Sequence, residues 1–226
     1  MSTTGVIFDM DGLLVDSEPL WQEAEMEFLA AHGHSYDPFI ARRHAGLRFT
    51  DVIAVMQREY LLAGDPKALV HELIDLFLSR YLNKLRLLPG ADEAIRGLGV
   101  IHPAAIASSS PLTIIRHVVR RFKWDPLLAA LCSGDEVCMG KPAPDLFLLA
   151  AKRLRVPPIA CCVLEDTLTG VRAAKAAGMR CIAIPTLMFG DPREFTGLAD
   201  IVLGSLTELR PEMVVGWVRD VRQSHL

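Results

Sequence analysis

Short apolar runs alternate with amphipathic stretches over much of the chain, which predicts a parallel sheet flanked by helices. The first run, Gly5 to Phe8, is too short for a helix and is rich in strand-forming residues. Similar runs predict further strands at residues 104–107, 131–132, 161–164, 181–184 and 201–203. Helical spacing predicts helices at residues 91–98, 112–122, 144–154, 168–177 and 211–222. This order is typical of the right-handed crossovers of an α/β fold.

A long helical segment separates the first predicted strand from the others. It contains no strand candidate, and its helices are expected to begin near Ser17, Thr50 and Pro66. Since one strand precedes this segment and the rest follow it, the segment is interpreted as an insertion. The predicted division is an α/β core of residues 1–16 and 87–226 with an inserted helical domain of residues 17–86.

Composition sets limits on the class of protein. Of the 226 residues, 51% are hydrophobic, which is ample for a large core. A net charge of −3, with scattered Lys and Arg, indicates neither a nucleic-acid partner nor an anionic membrane partner. No apolar run is long enough to span a membrane, and no basic-then-apolar signal precedes the first strand. We therefore expect a cytoplasmic protein.

Cysteine and histidine patterns do not predict a disulfide framework or a zinc site. The five cysteines have neither an even count nor metal-ligand spacing, and three lie in apolar strand-like runs. We expect them to be reduced and to act as small hydrophobic residues. The seven histidines form no HxxxH pair.

The first strand ends in two carboxylates and a glycine. Asp9 and Asp11 are two residues apart, so on an extended chain they point to the same face, while Gly12 permits a tight turn. Two carboxylates this close need a cation or a shared proton. An ordinary polar turn is the alternative, because Asp-Gly is common in turns.

Polar groups also follow other predicted strands. They are Ser108 to Ser110, the pair Glu165-Asp166, and Lys141 just before a helix. Each alone fits a helix N-cap or a solvated charge, but the carboxyl ends of parallel strands share one edge of a sheet. Serine hydroxyls, backbone amides and a lysine suit phosphate oxygens, and carboxylates such as Asp9 and Asp166 suit magnesium.

These residues resemble the four motifs of the haloacid dehalogenase (HAD) superfamily. The motifs are Asp9-Met10-Asp11-Gly12, Ser108, Lys141 in Gly-Lys-Pro-Ala-Pro-Asp, and Glu165-Asp166, and together they cover essentially the whole chain. The helical insertion resembles the C1-type cap of that family. Asp16-Ser17-Glu18-Pro19-Leu20-Trp21 and the tail from Ser205 to Leu209 are most similar to bacterial phosphatases of 2-deoxyglucose 6-phosphate and other hexose phosphates.

The resemblance implies a role for each motif residue. Asp9 is expected to attack phosphorus, and Asp11 to act as general acid and then general base. The expected magnesium ligands are Asp9, the backbone carbonyl of Asp11 and Asp166. Glu165 is expected either to bind the metal as well or to lie next to these ligands. Ser108, the amide of Ser109 and Lys141 are expected to hold the phosphoryl oxygens. Asp11 argues against dehalogenase chemistry, which in this family lacks the second aspartate and the metal.

The cap is expected to close over a small phosphorylated metabolite. Gly46, Leu47 and Arg48 form the candidate specificity loop, with an ordinary loop as the alternative. Trp21 is interpreted either as cap core or as a pocket wall. We expect a monomer, since the cap must open and close.

Three other functions are compatible with these motifs. A β-phosphoglucomutase shares them, but such enzymes carry a histidine in the first cap helix where this chain has Trp21, which favours water as the acceptor. A phosphoglycolate phosphatase is also possible, because the first motif does not distinguish it from a sugar phosphatase. A non-catalytic binding protein is the alternative from another class, although such proteins usually lose a motif residue.

Overall fold

The computed structural model describes residues 3–44, 47–186 and 192–215. Within these residues, six parallel strands form one sheet in the order β3-β2-β1-β4-β5-β6. Their bounds are β1 Gly5–Phe8, β2 Ala104–Ser108, β3 Ala130–Ser133, β4 Cys161–Glu165, β5 Arg180–Ala183 and β6 Ile201–Val202. Strand β1 lies between β2 and β4, where the strand order reverses, and such a point is the usual place for a ligand. The predicted α/β fold is confirmed.

Eight α-helices lie in the described parts of the chain. Their bounds are α1 Glu18–Ala31, α2 Pro38–His44, α3 Phe49–Glu59, α4 Pro66–Arg80, α5 Ala91–Gly99, α6 Leu112–Arg121, α7 Asp145–Leu154 and α8 Leu168–Ala176. Helices α1 to α4, here called the cap, come between β1 and β2 and are followed by α5 before β2 begins. Helices α6, α7 and α8 follow β2, β3 and β4, respectively.

The sheet is buried on both faces, as expected for parallel strands. Alternate residues of β1 belong to different hydrophobic cores: Val6 and Phe8 pack in one, and Ile7 packs in the other. The first core includes α5, α6 and the cap, and the second includes α7 and α8. Buried side chains on both sides therefore fix the end of β1, where the predicted site begins.

The cap joins the rest of the chain through two adjacent segments. Val15 pairs with Leu87 in an antiparallel bridge, and the amide of Asp16 donates to the carbonyl of Arg86 at 2.9 Å. These contacts lie at the expected boundaries of the insertion. The division into domains at residues 16 and 87 stays a prediction.

Three details differ from the sequence-based expectations. Helix α2 was not predicted, because seven residues with two adjacent arginines give no extended apolar stripe. Helix α3 begins at Phe49, one residue before the expected Thr50. Of the helix expected at residues 211–222, Pro211–Met213 form a 3₁₀ turn, and residues 216–222 lie outside the described residues.

Two further expectations concern thiols and membranes. All five cysteines are free thiols. Cys161, Cys162 and Cys181 are buried, as their apolar runs predicted; Cys132 is buried as well, and Cys138 is exposed. Among the helices described, none combines the length and the apolar character needed to cross a bilayer.

Candidate active site

Strand β1 positions Asp9 and the turn that follows it. The amide of Asp9 donates to the carbonyl of Leu164 at 3.0 Å, so the pairing of β1 with β4 extends to the carboxylate. Gly12 has φ +77°, and a Cβ atom there would lie 2.3 Å from Oδ2 of Asp166. This position therefore needs glycine both for its backbone conformation and for the close approach of Asp166.

Three carboxylates meet beside this turn. One ligand oxygen each from Asp9, Glu165 and Asp166 lies within 4.8 Å of the others, and all three residues are at most 5% exposed. Oδ1 of Asp166 is buried and has no hydrogen-bond partner. Burial, followed by the charges of Glu165 and Asp9, raises the pKa of Asp166 well above its ordinary value. A buried oxygen without a donor and an uncompensated negative charge suit a hard divalent cation such as magnesium.

Lys141 joins two of these carboxylates. Its Nζ lies 2.5 Å from Oδ1 of Asp9 and also donates to Oε1 of Glu165. Oε2 of Glu165 accepts from the amide and the hydroxyl of Thr167 at 2.7 and 2.9 Å. Both oxygens of Glu165 are thus engaged by protein donors, whereas Asp166 retains a bare oxygen.

Burial is the largest single influence on the pKa values of both Asp9 and Lys141. It raises the pKa of Asp9 to about 8, against the opposing effect of the Lys141 charge. For Lys141, burial lowers the pKa, but the adjoining Asp9 and Glu165 carboxylates outweigh it and raise the pKa above its ordinary value. The lysine is therefore protonated and available to an anion.

Asp11 is held by three serine hydroxyls. Ser17 Oγ donates to Oδ1 at 2.7 Å, while Ser108 and Ser110 Oγ donate to Oδ2 at 2.9 and 2.7 Å. The carboxylate is thereby fixed between the start of α1 and the end of β2. It does not belong to the three-carboxylate cluster formed by described residues.

Two of these serines had other interpretations in the sequence. A helix was expected to begin near Ser17, and Ser17 does occupy the N-cap position of α1, but its side chain makes no capping hydrogen bond. Ser108 also accepts from the amide of Ser110 at 2.9 Å. Its expected contact with phosphate stays a prediction. A serine before a helix is a common N-cap, so the sequence held no signal for the contact of Ser17 with Asp11.

A cavity opens from these groups toward the cap, and we call it the active-site cavity. The described residues that line it are Asp9, Asp11, Glu18, Trp21, Glu25, Leu47, Phe49, Val52, Ser108, Ser109, Ser110, Lys141, Glu165 and Thr167. Nearly all predicted site residues are thus brought together, apart from Asp166, which lies in the carboxylate cluster, and Gly46 and Arg48. Residue Gly46 lies outside the described residues.

Trp21 belongs both to the cap core and to the wall of the active-site cavity, the two alternatives that the sequence left open. It is 8% exposed, stacks on Phe77 with ring centroids 3.6 Å apart, and lies 4.5 Å from the ring of Phe49. One side of the indole belongs to the cap core, and the residue also lines the cavity. Leu47 lines the cavity beside it.

Glu18 and Glu25 of α1 are cavity-lining residues that the sequence interpretation did not select. Burial, followed by the charges of Asp11 and Asp9, raises the pKa of Glu18 to about 8. Burial, followed by the charge of Glu18, raises the pKa of Glu25 to about 8 as well. They lie seven residues apart, two helical turns on one face of α1, which is the signal that could have grouped them.

Arg48 connects the cap to the core. Its Nε and Nη2 donate to Asp51 at 2.8 and 3.1 Å, and its Nη1 donates to the carbonyls of Val137 and Cys138 at 3.0 and 3.1 Å. Cβ atoms at Gly134 or Gly140 would lie 2.8 or 2.9 Å from its side chain. The loop that leads to Lys141 therefore receives this arginine. A contact of Arg48 with substrate stays a prediction.

Comparison with known proteins identifies relatives over most of the chain. The family model of haloacid dehalogenase-like hydrolase matches residues 3–178. Hexitol phosphatase B of Escherichia coli (strain K12) is 35% identical over 93% of this chain and 96% of its own length. Fructose-1-phosphate phosphatase YqaB of the same strain is 35% identical over 81% of this chain and 97% of its own length. The crystal structure of CbbY from Rhodobacter sphaeroides in complex with phosphate has a TM-score of 0.81 and 30% identity, and it covers 92% of this chain and 96% of that chain.

Proposed function

Because the chain belongs to the haloacid dehalogenase-like hydrolase family and is a phosphatase of that family, we propose that it hydrolyses small sugar phosphates with magnesium. Hexose 6-phosphates, such as 2-deoxyglucose 6-phosphate, are the proposed substrates. The observation that carries the proposal is the buried Asp9–Lys141 pair, which borders both a carboxylate cluster and a cavity under the cap. Two relatives whose names specify a phosphorylated hexitol or fructose 1-phosphate support it.

In the first proposed step, a carboxylate oxygen of Asp9 forms a bond to phosphorus as the bond from phosphorus to the sugar oxygen breaks. Asp11 gives a proton to that leaving oxygen, so the product is a neutral sugar hydroxyl. Lys141 is paired with Asp9 and is 5% exposed, so it supplies positive charge to the transferring group from a buried position. Its position beside the nucleophile supports this role.

In the second step, water attacks the phosphorus of the aspartyl phosphate, and Asp11 takes the proton. The bond to Asp9 breaks, phosphate leaves and the free carboxylate is restored. Three serine hydroxyls orient Asp11 for both transfers.

Magnesium would be held by Asp9 and Asp166, with the backbone carbonyl of Asp11 as a further predicted ligand. When bound, it supplies positive charge that neutralises the phosphate. Glu165 is proposed to act beside these ligands rather than as one of them, because Lys141 and Thr167 engage both of its oxygens.

Water is the proposed acceptor rather than a second sugar hydroxyl. A mutase of this family carries a histidine at the position of Trp21, and here the indole is packed on Phe77 and Phe49 and has no group that titrates near neutral pH. This packing favours hydrolysis over mutase chemistry.

Phosphate release tests the proposal. The purified chain is assayed with magnesium, and with excess chelator, on hexose 6-phosphates, fructose 1-phosphate, hexitol phosphates, phosphoglycolate and β-glucose 1-phosphate. We expect magnesium-dependent release that is fastest with hexose or hexitol monophosphates. Conversion of β-glucose 1-phosphate to the 6-phosphate without phosphate release would identify a mutase instead, and release that resists the chelator would refute the metal requirement.

A further inference from the structure

A buried serine lies behind the candidate acid/base residue, outside the active-site cavity. Ser133 ends β3, is 0% exposed and is not among the described residues that line the cavity. In the parallel register of the sheet it pairs with Ser108, the last residue of β2. Ser133 is therefore shielded from a substrate in the cavity, but it lies beside the segment from which the hydroxyls of Ser108 and Ser110 hold Asp11.

The hydroxyl of Ser133 both accepts and donates a hydrogen bond. Its Oγ accepts from the amide of Asp135 at 3.2 Å, which caps the 3₁₀ turn Gly134–Glu136, and it donates to the carbonyl of Ser110 at 2.7 Å. The cap needs only an acceptor, and an aspartate would supply one equally well. A carboxylate could not donate to the Ser110 carbonyl, so the cap alone does not account for a hydroxyl at this position.

The backbone of Ser110 fixes two groups that bind Asp11. The Ser110 Oγ donates to Oδ2 of Asp11 at 2.7 Å. The Ser110 amide donates to Oγ of Ser108 at 2.9 Å, and this second hydroxyl donates to the same Oδ2 atom at 2.9 Å. The next residue, Pro111, has no N–H that could anchor the turn. The bond from Ser133 to the Ser110 carbonyl therefore holds the turn from which both hydroxyls reach the carboxylate.

A backbone contact supports the same segment. A Cβ atom at Gly134 would lie 3.2 Å from both the Cα atom and the carbonyl oxygen of Ser109. The residue after Ser133 thus packs directly on the backbone between Ser108 and Ser110, and glycine permits this close approach. The end of β3 consequently contacts the serine segment at two successive residues.

From these contacts we infer that Ser133 is a positioning residue for Asp11 and acts through Ser110. The inference rests on the proposed function, in which Asp11 gives a proton to the leaving sugar oxygen. Without the Ser133 hydroxyl, the Ser110 carbonyl loses this donor and the turn is held less firmly, so Oδ2 of Asp11 is less well oriented. A misplaced carboxyl group is a poorer general acid, although the nucleophile is unchanged.

The leaving group separates this effect from a general loss of structure. A sugar oxygen leaves as a strong base and needs a proton, whereas p-nitrophenolate is a weak base and needs almost none. The value of kcat/KM reports the steps through formation of the aspartyl phosphate. We expect Ser133→Ala to lower kcat/KM at least about threefold for the sugar phosphate that the wild-type chain hydrolyses fastest, but less than about 1.5-fold for p-nitrophenyl phosphate. A partly unfolded variant would lose both activities equally, so the ratio does not depend on the active fraction.

Three further variants assign the effect. Ser133→Thr retains the hydroxyl and should keep the ratio of the two kcat/KM values near that of the wild-type chain. In a Ser110→Ala background, Ser133→Ala should change the ratio less than about 1.5-fold further, since the hydroxyl through which it acts is already absent. Cys132→Ala is the matched control: it removes a buried side chain from the preceding position of β3, which points to the opposite face of the sheet, and should leave the ratio unchanged.

The possible failures are distinguishable. If the wild-type chain releases phosphate from no sugar phosphate, or if Asp11→Asn lowers kcat/KM equally for both substrates, the proposed function or its general acid is wrong and the inference falls with it. If Asp11→Asn affects the sugar phosphate far more but Ser133→Ala changes the ratio no more than Cys132→Ala does, the proposed function stands and the role of Ser133 is refuted.

Discussion

The hydroxyl of Ser17 is the one serine hydroxyl among the three around Asp11 that binds its Oδ1 atom. We expect Ser17→Ala to lower kcat about threefold to thirtyfold, with a smaller change in KM. This change corresponds to about 0.6–2 kcal/mol, the lower part of the range for a hydrogen bond to a carboxylate, because Ser108 and Ser110 still bind Asp11. Steady-state kinetics of phosphate release measures it. Ser79→Ala is the control, since Ser79 is exposed on α4 and its hydroxyl donates to the carbonyl of Leu76. An unchanged kcat in Ser17→Ala would contradict the orienting role.

Alanine variants of Gly12 and Gly33 distinguish the effect of backbone strain from the effect of steric crowding by a new Cβ atom. Their φ angles are +77° and +79°, but a Cβ atom at Gly12 meets Asp166 whereas one at Gly33 meets nothing within 4 Å. Both alanine variants should lose stability through the backbone, by roughly 1 kcal/mol. Only Gly12→Ala should also weaken magnesium binding, because Asp166 must move. Calorimetric titration with magnesium measures the difference, and equal affinities in the two variants would contradict the assignment of Asp166.

The residue scale also shows what the sequence could predict. Asp9, Lys141 and Asp166 were found because each follows a strand or precedes a helix, and the topology of a parallel sheet brings such positions to one edge. Glu18 was not selected, because a carboxylate in the first turn of a helix is ordinary helix chemistry. Its meaning depends on the side chains of the core that face it, and these are distant in sequence.

At the scale of elements, the connection between α3 and the loop before Lys141 is carried by Arg48. We expect Arg48→Ala to raise KM at least about fivefold and to increase hydrogen exchange in both α3 and residues 134–141, because hydrogen bonds between them are lost. Kinetics combined with hydrogen-exchange mass spectrometry measures both effects. Arg58→Ala is the control, since Arg58 is exposed and, among the residues described, pairs with its neighbour Glu59.

A second variant reaches the same contact from the core. Gly140→Ala places a methyl group about 3 Å from the Arg48 side chain and should reproduce the hydrogen-exchange change of Arg48→Ala. If Arg48→Ala changes substrate preference but leaves hydrogen exchange unaltered, Arg48 contacts substrate instead, in keeping with its place in the candidate specificity loop.

The elements themselves were predictable to different degrees. The strands were found because short runs such as Cys161–Glu165 are apolar and bounded by turn residues. Helix α2 was missed because its seven residues carry no extended apolar stripe, although Asp37 before Pro38 is a local start signal. Asp37 Oδ1 accepts from the amide of Phe39 at 2.8 Å, and α2 packs on α3. Short helices of this kind depend on tertiary contacts more than on sequence period.

At the scale of the whole molecule, stability depends on magnesium and pH together. Burial raises the pKa of Asp9 to about 8 and raises that of Asp166 well above its ordinary value, so without metal Asp9 is largely protonated below pH 8 and protonation of Asp166 is also favoured. Magnesium requires their ionised forms. The increase in Tm on adding magnesium should therefore grow as the pH rises from 5.5 to 8, because fewer protons must be displaced.

Differential scanning fluorimetry at both pH values, with magnesium or with chelator, measures this increase. Asp166→Asn is the matched variant, since it keeps the shape but removes a proposed ligand charge, and it should abolish most of the increase. A magnesium-induced Tm increase that is independent of pH would contradict the proton competition.

The central claim is that Asp9 carries the phosphoryl group during turnover. Rapid acid quenching of the chain with magnesium and a sugar phosphate, followed by peptide mass spectrometry, should find a phosphoryl adduct on Asp9. Asp9→Asn should form no adduct and lose at least about a thousandfold in kcat. An adduct on a different residue, or full phosphate release by Asp9→Asn, would contradict the account.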